Sequence, residues 1–210
     1  MDHHPLSPLC AYCGAAVGAR TAYRRAAADL GREMALRGIG LVYGGGKVGL
    51  MGEIAASVLA GGGTVTGIIT RELMSRELGH EGITDLRIVD SMHERKKAMA
   101  DIARAFVALP GGIGTLDEFF EILTWAQLGI HDRPVGMLNV EGYFDDVLRW
   151  LDHAEREGFM RINPRQALVV ETDPARLLDA LAARAATGTG IERRPWGREQ
   201  EPGGGSTGGV

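Results

Sequence analysis

The sequence predicts an α/β protein with one doubly wound, Rossmann-like domain, in which helices flank a mostly parallel sheet of about seven strands. Short apolar runs, typical of strands buried on both faces, alternate with longer amphipathic stretches that are typical of helices. The links between them are short, as in repeated strand–helix units. The length of 210 residues suits one large domain better than two small ones.

Each element is predicted from its hydrophobic pattern, in chain order. The strands are predicted at residues 9–13, 40–43, 64–69, 86–89, 105–109, 134–138 and 167–170. The helices are predicted at residues 21–37, 49–60, 92–104, 115–129, 143–157 and 174–185. Residues 71–84 form a longer link in which one short helix is expected. This link follows the carboxyl end of a strand, where doubly wound folds bind ligands.

The predicted domain spans residues 9–186, and the two ends differ from it in composition. Residues 1–8 are predicted to be a flexible N-terminus, without the charged and apolar regions of a secretory signal. Residues 187–210 are rich in glycine and charge, which predicts a disordered tail. No apolar run is long enough to cross a membrane, so a cytoplasmic location is expected.

The net charge of −4, without a block of Lys and Arg, disfavours nucleic acid as a partner. A small molecule is therefore the expected partner. The sequence contains no cluster of metal ligands, so neither a metal nor another cofactor is expected. Cys10 and Cys13 have a Cys-x-x-Cys spacing, but a zinc site needs about four ligands and no second pair exists. They are interpreted as small buried residues of the first strand.

The most informative stretch is residues 109–121, where a glycine loop joins a predicted strand to a predicted helix. The N–H groups at the start of a helix have no intrahelical partner, and the helix dipole favours an anion there. Gly111, Gly112 and Gly114 would let the main chain approach a phosphate closely. The loop therefore predicts chemistry on a phosphorylated small molecule.

The polar residues after these glycines have two interpretations. Thr115 and Glu118 fit a capping box, in which Thr115 caps the helix and Glu118 returns to the N–H of the cap. Alternatively, the Thr115 hydroxyl and the carboxylates of Glu118 and Glu121 belong to an active site beside the phosphate. The residue pattern alone leaves both interpretations open.

A second glycine loop, residues 44–49, matches the Gly-x-Gly-x-x-Gly pattern of dinucleotide-binding proteins. It follows the second strand instead of the first, and no acidic residue stands about twenty positions further on to bind a ribose. The loop either serves tight turning and helix packing, or lines one crevice together with loop 111–114. In the second case Gly44 and Gly45 contact the ligand, and Gly14 contributes from the first strand.

The predicted helix at residues 92–104 begins Met-His-Glu-Arg-Lys-Lys. Met92, Arg95 and Met99 share one face at helical spacing. A cation near the start of a helix opposes the helix dipole, which indicates a functional demand such as an anionic ligand. A solvated basic face is the alternative.

Together these elements resemble the Lonely Guy family of nucleotide phosphoribohydrolases, which activate cytokinins. The family pattern Pro-Gly-Gly-x-Gly-Thr-x-x-Glu is matched from Pro110 to Glu118, and the Arg-Lys block is matched by Arg95 and Lys96. Further matches are Cys13-Gly14, the run from Leu41 to Gly46, and the run from Thr124 to Gly129. The resemblance covers roughly residues 9–180.

The resemblance implies hydrolysis of the N-glycosidic bond in a purine riboside 5′-monophosphate, with no metal or cofactor. It implies that Arg95 and Glu118 are catalytic. The substrate contacts that it implies are Glu77, Lys96, Gly112, Ile113, Gly114, Thr115 and Thr124. Glu121, Gly14 and Met92 are expected to support the site. Members of the family are typically homodimers with the site near the subunit interface.

Three other functions are alternatives to this one. A lysine decarboxylase would need pyridoxal phosphate bound to a lysine such as Lys47 or Lys96, and neither has a recognisable context for it. A module that binds a nucleotide without turnover would have no need of both Arg95 and Glu118. General hydrolysis of adenosine monophosphate, without preference for a modified base, is the third alternative.

Overall fold

Seven parallel strands form one sheet in the computed structural model, which describes residues 4–77, 79–188 and 191–193, with residues 75–77 as main chain only. The strands are β1 (Leu9–Tyr12), β2 (Leu41–Tyr43), β3 (Val65–Thr70), β4 (Asp85–Val89), β5 (Ala105–Ala108), β6 (Val135–Leu138) and β7 (Leu168–Glu171). Their order in the sheet is β4-β3-β2-β1-β5-β6-β7. The doubly wound parallel fold is therefore confirmed.

Helices connect these strands across both faces of the sheet. They are α1 (Thr21–Leu36), α2 (Gly49–Ala60), α3 (Arg71–Glu77), α4 (Met92–Ile102), α5 (Ile113–Leu128), α6 (Asp145–Arg156), α7 (Pro164–Ala167) and α8 (Pro174–Thr187). A 3-10 turn, Val140–Gly142, precedes α6. Among the described residues, no helix is long and apolar enough to cross a membrane.

The predicted strands lie within one residue of the observed bounds, and the predicted helices within two. The short helix expected in residues 71–84 is α3. The short helix α7 was not predicted, although Asn163 caps it and Pro164 occupies its first turn. Helix α6 begins two residues later than predicted, because Tyr143 and Phe144 form a turn between the 3-10 turn and the helix.

Two apolar layers hold the helices on the sheet. One layer packs α1, α2 and α8 against one face through residues such as Leu30, Ile54 and Leu177. The other packs α4, α5 and α6 against the opposite face through residues such as Met99, Phe119, Ile122 and Leu148. Successive strand residues point to opposite faces, so both faces of each central strand are apolar.

Cys10 and Cys13 lie in different layers, on opposite faces of the sheet. Both thiols are free and buried, and burial raises the pKa of each. A raised pKa keeps a thiol protonated and poorly nucleophilic. The interpretation of the two cysteines as small buried residues is confirmed.

The ends of the chain are partly described. Leu6 is fully buried and the Ser7 hydroxyl accepts a hydrogen bond from the Gly40 N–H, so this part of the predicted flexible N-terminus packs onto the domain. In the predicted tail, α8 continues to Thr187, and Arg193 donates to the Ala126 carbonyl at 2.9 Å. Residues 189–190 and 194–210 of the predicted tail lie outside the described residues.

The strand order reverses direction at β1, which pairs with β2 on one side and β5 on the other. Chain connections therefore leave β1 and β5 toward opposite sides, and the loops after these two strands border a crevice. The N–H of Gly14, after β1, donates to the carbonyl of Pro110, after β5, at 3.1 Å. This crevice is the expected ligand site of a doubly wound sheet.

Candidate active site

A pocket of about 220 Å³ opens at this crevice, between the carboxyl ends of β1 and β2 and the start of α5. The loops after β1, β2 and β5 all contribute to it, and so do α4 and α5. Its lining residues are Ala11, Cys13, Gly14, Ala15, Gly44, Met51, Arg95, Gly112, Gly114, Thr115 and Glu118. The structure thus brings Gly14, the second glycine loop and the residues of the long glycine loop to one place.

The first turn of α5 faces this pocket without a side-chain cap. The helix begins at Ile113, and Gly112 at the N-cap position supplies no capping side chain. The N–H groups of the first turn have no acceptor within the helix, so they can bind an anion. A Cβ at Gly112 or Gly114 would meet nothing within 4 Å, so both glycines leave open space beside these N–H groups.

Gly111 has a different role from its neighbours. A Cβ at this position would lie 2.1 Å from the Thr115 hydroxyl and 2.8 Å from the Gly14 nitrogen. Glycine is therefore required here by packing. Gly111 allows the loops after β1 and β5 to touch, whereas Gly112 and Gly114 leave the helix start accessible.

The capping-box interpretation of Thr115 and Glu118 is wrong. The helix begins two residues before Thr115, so Thr115 lies inside the first turn and is only 5% exposed. Its hydroxyl lies beside Gly111 and lines the pocket. Ile113 is 89% exposed and does not line this pocket.

Arg95 is a buried cation in the wall of the pocket, and its side chain is held on several sides. Its Nε donates to the Ile68 carbonyl at 3.0 Å, and its Nη2 donates to the Gly44 carbonyl at 3.2 Å. Its Nη1 lies 3.4 Å from Oε1 of Glu118. Two carbonyls and a carboxylate therefore offset the unfavourable placement of a cation in the first turn of α4.

Gly44 is the residue that makes room for this guanidinium. A Cβ on Gly44 would lie 2.1 Å from Nη2 of Arg95. Gly45 serves packing instead, because its φ of 78° is left-handed and a Cβ there would meet Ile69 at 3.1 Å. Of the two, only Gly44 lines the pocket.

Glu118 follows Gly114 by one turn of α5, so both residues face the same side of the helix. The Glu118 side chain is 13% exposed and lines the pocket next to Arg95. Glu118 thus stands one helical turn from the uncapped N–H groups of α5, and Arg95 is paired with it. This arrangement can hold a phosphate and place charged groups at a bond a few atoms away from it.

The Lys96 side chain points away from the pocket, toward two carboxylates on α5. Its Nζ lies 3.2 Å from the Asp117 carboxylate and 3.3 Å from the Glu121 carboxylate. Burial alone would lower the pKa of Lys96, but its hydrogen bonds and charge interactions with these two carboxylates outweigh burial and raise it. Lys96 and Glu121 therefore tie α4 to α5 beside the pocket, and neither lines it.

The remaining predicted site residues lie around the pocket. Met92 is 43% exposed, and its sulfur lies 3.7 Å from Nη1 of Arg95. Thr124 is exposed on α5, beyond Glu118, and does not line the pocket. The main chain of Glu77 ends α3, and its side chain is outside the described part of the structure.

Sequence reasoning missed Met51 and Tyr143. Met51, at the start of α2, lines the pocket, and its sulfur lies 3.3 Å from the position that a Cβ on Gly44 would take. Tyr143 lies before α6 and donates its hydroxyl to the Gly111 carbonyl at 2.5 Å. Tyr143 belongs to no local pattern that signals a ligand site.

A second pocket, of about 340 Å³, adjoins the first and shares Gly14, Ala15 and Gly112 with it. Its further lining includes Tyr23, Leu50 and Tyr143. No group of three or more His, Cys, Asp or Glu side chains that could hold a metal ion occurs among the described residues.

Comparison with known proteins decides the family. A protein family described as "Possible lysine decarboxylase" matches residues 51–181. Cytokinin riboside 5′-monophosphate phosphoribohydrolase LOG4 of Arabidopsis thaliana is 51% identical over 80% of this chain and 79% of its own length. The chain belongs to the LOG family of phosphoribohydrolases. The rice relative LOG, from Oryza sativa subsp. japonica, is 50% identical over 77% of this chain and 66% of its own length.

Solved structures share the fold of this LOG family member at much lower identity. The molybdenum cofactor binding protein of Rippkaea orientalis superposes with a TM-score of 0.62 at 21% identity, over 84% of this chain and 96% of its own. The likeness supports the Rossmann-like architecture. The resemblance to the LOG family that the glycine loop and the Arg-Lys block indicated is confirmed.

Proposed function

We propose that this protein hydrolyses the N-glycosidic bond of cytokinin riboside 5′-monophosphates, which are N6-modified forms of adenosine monophosphate. The products are the free cytokinin base and ribose 5-phosphate. The observation that carries the proposal is the pairing of Arg95 with Glu118, 3.4 Å apart, beside the uncapped start of α5. The names of the Arabidopsis and rice relatives describe this same activity.

The 5′-phosphate would bind at the first turn of α5. The open space at Gly112 and Gly114 supports this, because an anion can reach the N–H groups there without meeting a Cβ. Binding energy from the phosphate, which does not react, would place the sugar at the reacting centre. Thr115 adds a hydroxyl to the same wall.

The bond to be broken joins the sugar to the base, and its cleavage builds positive charge on the ribose ring. A carboxylate near C1′ stabilises that charge and orients the attacking water. Glu118 is the carboxylate that lines the pocket, so we assign this role to it. The step adds one water and releases the base with a proton, so atoms and charge balance.

Arg95 is assigned a role as a fixed positive charge. Its hydrogen bonds to two main-chain carbonyls hold it in place before any ligand binds. A preorganised cation can hold a phosphate or ribose oxygen, or stabilise negative charge on the departing base. Its contact with Glu118 also orients that carboxylate.

Lysine decarboxylation, suggested by the family description, is poorly supported by the lysines. Schiff-base chemistry needs a lysine that readily loses its proton. The pKa of Lys96 is raised by its acidic partners, which is the opposite effect. Lys47 lies near Gly79 and His80, in a different pocket from Arg95 and Glu118.

We also propose that the protein acts as a homodimer in the cytoplasm. The outer side of α5 supports the dimer. Thr124 and Leu128 are exposed there, away from the pocket, whereas Thr124 is an expected substrate contact. A second subunit on this face would bring Thr124 close to a ligand. Light scattering coupled to size-exclusion chromatography tests it: a mass near twice the chain mass of 22.4 kDa is expected.

The assay incubates the protein with isopentenyladenosine monophosphate and, separately, with adenosine monophosphate. Free base is then quantified by chromatography. Release of isopentenyladenine together with ribose 5-phosphate is the expected result. Equal turnover efficiency on both nucleotides would favour general hydrolysis of adenosine monophosphate, and no release from either would leave only nucleotide binding.

A further inference from the structure

Tyr143 contacts the glycine loop from outside it. It lies between β6 and α6, and its hydroxyl donates to the Gly111 carbonyl at 2.5 Å. The two residues are 32 positions apart in the chain. The family pattern does not include Tyr143, and no catalytic or binding role assigned above uses it.

The Tyr143 side chain is held in place by its neighbours. Its ring stands edge-on to Tyr23, with centroids 5.4 Å apart, and edge-on to Phe144 at 5.1 Å. The main chain directly after it is anchored by Asn139, whose side-chain oxygen accepts from the Phe144 N–H at 2.7 Å. The hydroxyl is therefore presented to Gly111 from a fixed direction.

The turn just before Tyr143 contains an unusual backbone conformation. Glu141 has a φ of 49°, and among the described residues it is the one non-glycine residue with positive φ. Such conformations are uncommon and concentrate at functional sites. Its carboxylate pairs with Arg20, at the start of α1, at 2.7 Å.

The contact at Gly111 determines the direction of the next N–H group. The carbonyl of Gly111 and the N–H of Gly112 belong to one planar trans peptide, in which the two groups point in opposite directions. A hydroxyl that holds the carbonyl therefore fixes the N–H. Gly112 lines the candidate active site as well as the pocket that contains Tyr143.

We propose that Tyr143 is a positioning residue, which aims the Gly112 N–H at the 5′-phosphate of the ligand. A hydrogen bond to the carbonyl also polarises the peptide and strengthens its N–H as a donor. The inference rests on the proposed function in one respect, namely that the glycine loop holds a phosphate. It does not require that the protein hydrolyses the nucleotide.

The test compares Tyr143→Phe with Tyr23→Phe. The first variant removes the hydroxyl that holds Gly111, and the second removes a hydroxyl from the other ring of the same aromatic pair. The dissociation constant of ribose 5-phosphate is measured by calorimetry for both and for the unmodified protein. We expect about a 3- to 10-fold weaker affinity in Tyr143→Phe, the range of one net hydrogen bond, and no change in Tyr23→Phe.

A second measurement separates positioning from general damage. In steady-state hydrolysis, Tyr143→Phe should raise KM for the nucleotide 5′-monophosphate, while kcat and the melting temperature change little. Equal affinity for ribose 5-phosphate in both variants and the unmodified protein would overturn the inference. So would failure of the unmodified protein to bind ribose 5-phosphate. A protein that shows the expected affinity change but releases no base would contradict the proposed function alone.

Discussion

Nη1 of Arg95 and Oε1 of Glu118 lie 3.4 Å apart across the interface of α4 and α5. The guanidinium also donates to the carbonyls of Ile68 and Gly44, so the pair links two helices to strand β3 and to the loop after β2. Few polar groups in this domain are as buried as Arg95, which is 6% exposed. The proposed catalysis depends on this pair and on the open helix start beside it.

Replacing Glu118 by Gln should remove turnover and keep the fold. The amide keeps the shape of the side chain but loses the negative charge that opposes the oxocarbenium-like state, so we expect kcat to fall by about 10²- to 10⁴-fold. Asp117→Asn is the matched control, because Asp117 is the preceding acid on α5 and its side chain is 56% exposed. Chromatographic release of the base measures both. Similar rates in the two variants would contradict the role of Glu118.

Replacing Gly44 by Ala should displace Arg95. The new methyl group would lie 2.1 Å from Nη2, so the guanidinium must leave its carbonyl partners. We expect kcat/KM to fall by at least about tenfold, because the charged group is no longer in position. Gly82→Ala is the control, since a Cβ there meets nothing within 4 Å. If Gly44→Ala kept full activity, a fixed Arg95 would not be needed for the reaction.

Replacing Gly114 by Ala should change stability and substrate binding in opposite directions. Gly114 is an exposed residue in the first turn of α5, and a Cβ meets nothing there. Alanine in a helix stabilises by about 0.5–1 kcal/mol relative to glycine. The same methyl group would occupy space that the phosphate needs, so KM should rise. Urea unfolding and steady-state kinetics measure the two effects, and an unchanged KM would place the phosphate elsewhere.

The buried, uncharged His131 should make the domain less stable in mild acid, because the unfolded chain binds a proton at this residue more readily than the folded chain. It is 7% exposed, its Nδ1 accepts from the Arg133 N–H at 3.1 Å, and its Nε2 lies 3.0 Å from the Ile122 carbonyl. Burial lowers the pKa of His131, and the positive charge of Arg133 acts in the same direction. The unfolded chain, with a histidine pKa of about 6.5, therefore binds the proton first. Stability should fall as the pH drops below about 6.5 and level off below the folded pKa.

The measurement is the free energy of unfolding in urea between pH 8 and about pH 5. His131→Asn should show a shallower decline with falling pH than the unmodified protein. The decline should not vanish, because the pKa of His4 and that of His80 are also lowered, in both cases mainly by burial. The exposed His93 provides the control variant His93→Asn, which should decline as the unmodified protein does. If the free energy of unfolding of His131→Asn depended on pH as strongly as that of the unmodified protein, His131 would not contribute to the loss of stability in acid.

The fold was predictable because most of the seven strands are short apolar runs between helices of clear period, although β4 carries Asp85 and Arg87. The start of α5 was not, because Thr115 offered a plausible cap, whereas the helix begins at Ile113 without a capping side chain. Main-chain geometry at Gly112 determines that start, and no residue pattern reports it.

The candidate site was predictable where one loop or one helix face carries it. Gly112, Gly114, Thr115 and Glu118 lie within seven consecutive residues and meet in the pocket. Lys96 was harder to place, because adjacent helical residues point about 100° apart. It therefore turns away from Arg95 toward Asp117 and Glu121.

Contacts distant in the chain could not be predicted from a single sequence. The Tyr143 hydroxyl reaches Gly111 across 32 positions, and the Gly44 carbonyl meets Arg95 across 51. Thr124 follows Glu118 by roughly 9 Å along the axis of α5. The family resemblance predicts that it is a substrate contact, although within one subunit it lies outside the pocket.

The most direct test is a crystal structure of the Glu118→Gln variant with isopentenyladenosine monophosphate bound and uncleaved. We expect the phosphate on the N–H groups of residues 112–115, and C1′ within about 3.5 Å of the residue 118 side chain or of a water that it holds. A phosphate bound away from the start of α5, or a C1′ out of reach of residue 118, would contradict the account.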